Sequence, residues 1–175
     1  MKNFLLTMIF SSALFAQSFP LTLGFQMELP QDNELMGSSF RMTPWVGWVD
    51  PIGVYGKLLA GYYQKRSLSS EGKEFQSLRR AGLEAGYVIP LPSQPYAFVQ
   101  GQHLQLLNND RRGDRTWWEY GVGIGAKWMP GQSFKWYGSV EYRIFENHPK
   151  LDSENGQWIE GHGMVGYLGV EWTLF

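Results

Sequence analysis

From Phe19 to the end of the chain, apolar and polar side chains alternate with a period of two in eight runs, each bounded by turn-forming residues. Such alternation sends successive side chains to opposite faces of an extended backbone. No helical period interrupts it, so the chain is committed to antiparallel sheet. The runs are Phe19–Glu28, Phe40–Val49, Val54–Lys65, Phe75–Ile89, Tyr96–Leu107, Thr116–Met129, Phe134–Glu146 and a last one ending at Phe175. In the sixth, Trp118, Tyr120, Val122, Ile124, Ala126 and Trp128 oppose Glu119, Gly121, Gly123, Gly125 and Lys127. The fifth alternates least clearly. Tyr96 and Phe98 share parity with Gln100 and Gln102, and a bulge near Gly101 would switch its faces.

The connections alternate in length. Those at 50–53, 90–95 and 130–133 are short, whereas those near 30–38, 66–74, 108–115 and 147–157 are longer and more polar. Short turns at one end and long loops at the other are the mark of an up-and-down meander. The composition agrees: 21 glycines suit long helices poorly, and 16% aromatic residues suit strands. With no cysteine, neither a disulfide scaffold nor a thiolate metal site can form. A formal net charge of −1 provides no electrostatic basis for binding nucleic acid.

Residues 1–18 read differently. Lys2 precedes a largely apolar stretch from Phe4 to Ala16, too short for a comfortable helical span and suited to the core of a secretory signal. Cleavage is expected after Ser18, with Ala16 as the alternative. The expected organisation is therefore a signal peptide at 1–18 and a single barrel domain at 19–175, exported from the cytoplasm.

Two solvents explain an alternating barrel. A soluble barrel of the lipocalin kind turns its apolar face inward, and a transmembrane barrel turns it outward. Here the polar face carries Gly24, Gly47, Gly61, Gly82, Gly86, Gly121, Gly123 and Gly125. A solvated face has no need of such small residues, whereas the crowded interior of an eight-stranded barrel does. The same face carries Arg41, Lys57, Arg80, Lys127, Lys135 and Arg143 against Glu28, Glu84, Glu119, Glu141 and Glu171. Buried charges must be paired, and this set nearly balances. On the apolar face the large aromatics gather at the strand ends. Trp48, Tyr87, Trp128, Trp136 and Trp172 fall toward the short turns, and Phe40, Tyr62, Trp118 and Tyr142 toward the long loops. Two aromatic girdles around an aliphatic band suit an outer face crossing a bilayer. The expected fold is an all-β, eight-stranded antiparallel transmembrane barrel, its narrow lumen filled by the charged side chains and closed to flow.

With its signal segment, eight runs, alternating loops and terminal Phe175, the chain resembles the small eight-stranded outer-membrane barrels, which include the OmpA transmembrane domain and OmpX. The resemblance covers about Phe19 to Phe175. It implies residence in the bacterial outer membrane, passage by periplasmic chaperones, insertion by the barrel-assembly machinery, and contact with outer-membrane lipid and lipopolysaccharide. One departure concerns the C-terminus. That family places hydrophobic residues two and four positions before its terminal aromatic, where this chain has Thr173 and Glu171.

Little else carries chemistry. His103, His148 and His162 are expected toward the long-loop end, at spacings unlike a metal site. Some barrels of this size modify lipid A, and the deacylase among them uses a His-x-Ser pair. Here His148 precedes Pro149 and Lys150, and His162 precedes Gly163 and Met164, so an enzyme at the outer leaflet is the alternative reading rather than the first. A soluble periplasmic binder of an apolar ligand is a second alternative. No cofactor is expected. Lys65, Arg79, Arg111, Arg112 and Arg115 form a weak basic set near the long-loop rim, suited to lipid phosphates or lipopolysaccharide.

Overall fold

The computed structural model describes residues 20–29, 41–69, 72–107, 115–129, 133–149 and 158–174. Its strands are β1 (Leu21–Glu28), β2 (Arg41–Val49), β3 (Val54–Ser69), β4 (Gly72–Val88), β5 (Pro95–Leu107), β6 (Arg115–Trp128), β7 (Phe134–Pro149) and β8 (Trp158–Thr173). Each pairs antiparallel with the next, and β8 returns to β1, so the sheet closes into a barrel in strict sequence order. Closure abolishes the free edges that an open sheet would have to shield. Residues 1–19, which include the expected signal segment, most of the long connections and Phe175 lie outside the described residues.

The short turns are built from local chemistry. In the turn from β2 to β3, Asp50 Oδ1 accepts from the amides of Ile52 at 3.0 Å and Val54 at 2.8 Å. Gly53 adopts φ +101°, which a side chain would oppose. Strand lengths are unequal. β1 and β2 have 8 and 9 residues, β5 and β6 have 13 and 14, and the hairpins β3–β4 and β7–β8 have 16 or 17 per strand. At about 3.3 Å per residue and a tilt of about 35–45°, β1 and β2 rise roughly 19–24 Å and fall just short of an apolar band about 25 Å tall, whereas the two long hairpins, on opposite walls, overreach it.

Two irregularities shape the wall of the barrel. The first is not where the sequence places it. β5 contains no bulge at Gly101: it stays in register with β4 and β6 throughout, and Tyr96, Phe98, Gln100, Gln102 and Leu104 all point inward. The irregularity lies instead on β7, between Phe145 and His148. The second is a short seam. β2 stays paired to β1 as far as Arg41, but its ladder with β3 runs only from Val49↔Tyr55 to Trp45↔Leu59. Pro44 follows directly, and a proline has no N–H for a ladder.

Candidate functional site

The alternation resolves into an interior dense with polar groups and an apolar exterior. Val122, Ile124 and Trp136 face outward, while Glu119, Lys127 and Arg143 are buried within. This is opposite to a soluble barrel. All eleven charged residues of the inner set, from Glu28 to Glu171, lie on inward positions, with Arg41 and Lys135 half-buried toward opposite ends.

Arg143, fully buried, is the hub. Its Nη1 meets Glu28 on β1 and Glu119 on β6, the latter at 3.0 Å, and its Nη2 meets Glu141 at 2.9 Å. Each carboxylate has further donors. Arg80 reaches Glu28 at 3.1 Å, Trp117 Nε1 reaches Glu119 at 2.9 Å, Gln102 donates to Glu119, and the Tyr167 hydroxyl donates to Glu141. Nearer the short turns a second layer forms. Lys57 pairs with Glu84 at 2.7 Å, and the Tyr55 hydroxyl donates to the same carboxylate at 2.8 Å. The Lys57 ammonium lies 4.8 Å from the Trp45 ring and 4.9 Å from the Tyr137 ring, close enough for cation–π attraction in a desolvated setting. Lys127 pairs with Glu171 at 2.7 Å, with Lys135 at 3.9 Å from that carboxylate.

Apolar groups interleave with this network. Leu104, Trp117 and Leu78 pack toward the long connections, and Trp45, Tyr55, Tyr96, Phe98, Tyr137 and Val88 toward the short turns. Inner glycines make the room. A Cβ at Gly125 would stand 2.5 Å from Tyr96 Cζ, and one at Gly123 would stand 2.6 Å from Phe98 Cε1. The inner aromatic floor is the feature that alternation alone did not disclose. Its signal was the glycines of β6, which lie opposite Tyr96 and Phe98.

The outer face places Trp48, Tyr87, Trp128, Trp136 and Trp172 near the short turns, and Tyr62, Trp118 and Tyr142 near the long connections, all exposed. Phe40 lies outside the described residues. Phe134 stacks edge-on to Trp136, and Trp118 lies parallel to Tyr120. Between the girdles run Leu58, Leu83, Val99, Val122, Ile124 and Val140. Among the described side chains, the outward strand positions carry only two charges, Arg79 and Glu146, both at the long-connection edge.

The basic set is not gathered by the described residues. Arg79 is exposed on β4, Lys65 and Arg115 are placed on β3 and β6 by their backbones, and Arg111 and Arg112 lie outside the described residues. The histidines are dispersed. His103 on β5 packs against Trp118, and His162 on β8 against Tyr142, with β6 and β7 between them. His148 stands near the end of β7. Among the described residues no group of three or more His, Asp or Glu is placed to hold a metal ion.

A closed cylinder with paired charges within and a girdled apolar band without defines an eight-stranded transmembrane β-barrel. Similar solved structures bear out that architecture. Neisserial surface protein A is 14% identical, with a TM-score of 0.59 over 89% of this chain and 97% of that one. The N-terminal β-barrel domain of Pseudomonas aeruginosa OprF is 16% identical, with a TM-score of 0.52 over 89% and 96%. A major outer membrane protein from Thermus thermophilus is 11% identical, with a TM-score of 0.50 over 89% and 99%. At such identities the likeness is one of fold. No protein-family model matches the sequence, and no curated protein sequence matches it.

Proposed function

We propose that this chain is an integral protein of the bacterial outer membrane, exported by its N-terminal segment, whose work is structural and surface-presenting rather than catalytic. One observation carries the reading: an outward apolar band, free of charge between its girdles among the described side chains, surrounds a lumen in which the buried cations have carboxylate partners. The neighbours in fold include a protein whose name places it in an outer membrane, which supports the location. The lumen is packed by Arg143, its carboxylates and the aromatic floor, so the barrel serves as a plug with no open pore. The long connections face outward from the cell, where Lys65, Arg79, Arg111, Arg112 and Arg115 contact lipopolysaccharide. Periplasmic chaperones and the barrel-assembly machinery deliver it.

Membrane fractionation combined with boiled and unboiled gel migration tests this. The expected result is a detergent-extracted protein with a compact unboiled band. Release of the chain in a salt wash without detergent would instead support a soluble barrel. Planar-bilayer recording is expected to show no steady conductance, and a large sustained current would refute the closed lumen.

A further inference from the structure

The seam above Trp45 and Leu59 opens on the lipid-facing side into a cleft of about 580 Å³, within the roughly 300–1,000 Å³ range of small-ligand clefts. Pro44, Ala60 and Ala81 form its walls, and Arg79, His103 and Gln105 border it. The walls are short and apolar because no ladder joins β2 to β3 there and neither alanine projects beyond Cβ. On the lumen side the cleft is bordered by buried Arg80, bonded to Thr43 and Glu28. Arg79 stands at the membrane edge, exposed, and no described acidic side chain pairs with it. A cation facing lipid is costly unless an anion meets it.

We infer that this seam binds a lipid bearing a phosphate on its headgroup, entering from the leaflet on the long-connection side. The guanidinium fork of Arg79 matches two phosphate oxygens, a bidentate geometry that a point charge cannot reproduce. The apolar notch at Pro44, Ala60 and Ala81 lies immediately beside it and takes the first stretch of acyl chain. The polar edge of His103 and the β2-facing edge of β3 beside Ala60 and Gly61, which pairs with β4 on its other side only, face headgroup oxygens at this depth. In hydrocarbon such backbone groups would lack partners. The inference rests on the membrane reading above and adds to it a defined lipid site.

The test is native mass spectrometry of the full chain, folded in a zwitterionic detergent and titrated with bisphosphorylated lipid A or its dephosphorylated form. Gel migration of unboiled samples checks that every variant is folded. Wild type is expected to retain the phosphorylated lipid, with retention weakened about tenfold by Arg79→Ala, in keeping with loss of a charge-assisted hydrogen bond. Ala60→Trp, which fills the notch, should weaken it similarly. Arg79→Lys should recover part of the loss, and Glu146→Gln should change nothing. Equal retention by wild type and Arg79→Ala, equal retention of the two lipid forms, or a stable dimer that excludes lipid would overturn the site and leave the barrel intact. A wild-type chain with no compact band would overturn the membrane reading itself.

Discussion

Arg80, on β4, donates from Nη1 to Thr43 Oγ1 on β2 at 3.0 Å, reaching across the inner face of β3. Its neighbour on β3 is Gly61, which has no side chain to obstruct it. The same Nη1 meets Glu28 Oε2 on β1 at 3.1 Å. One side chain thus ties β4 to β2 and β1 behind the seam where backbone pairing stops. Thr43→Val is expected to cost about 1.5–3 kcal/mol, the typical worth of a hydrogen bond to a charged group. Urea unfolding in detergent measures the loss. Hydrogen exchange should quicken in the part of β2 that carries Thr43 and remain unchanged on β6.

Arg143→Met removes the cation shared by Glu28, Glu119 and Glu141 and leaves buried carboxylates underpaired. A loss of about 3–5 kcal/mol is expected. Adding Glu119→Gln and Glu141→Gln should recover much of it, because the uncompensated charge, not the missing contact, dominates the cost. Unfolding midpoints of the single and combined variants check this.

Two glycines on neighbouring strands should respond differently. Alanine at Gly123 would press on Phe98 and on the Val140 carbonyl, the latter at 2.6 Å, and is expected to cost about 1–3 kcal/mol as overpacking. Alanine at Gly101 meets nothing nearer than the Tyr120 ring at 3.7 Å and should change stability by less than about 0.5 kcal/mol. Comparing Gly123→Ala with Gly101→Ala in one detergent checks the difference.

The outer band predicts a depth dependence. Ile124, 70% exposed, lies among aliphatic residues, and Ile124→Arg is expected to cost about 2–4 kcal/mol in a bilayer. Glu146→Lys, at the rim, should cost about 0–1 kcal/mol. Reversible folding into phospholipid vesicles measures both.

The architecture was legible because lipid and a packed lumen both enforce a period of two, so Val122 and Ile124 separate from Glu119 and Lys127 by parity alone. The partners of Arg143 were not. Glu28 lies 115 residues away and Glu119 lies 24 away, brought together by the stagger of the closed sheet, which no local spacing encodes. Tyr96 and Phe98 were misleading because aromatics on a strand suggest a lipid-facing position. Their inward placement depends on Gly123 and Gly125 across the β5–β6 ladder. Pro44 occupies an outward position of β2 like its apolar neighbours, and only its missing N–H marks the seam.

Glu28 stands near the chain's beginning and holds Arg80 from its middle and Arg143 from near its end. That three-way knot cannot be tied while the first and last ribbons are still apart. Until they meet, the carboxylate keeps only part of its partners, so closure of the last seam is also what completes the charge balance of the interior.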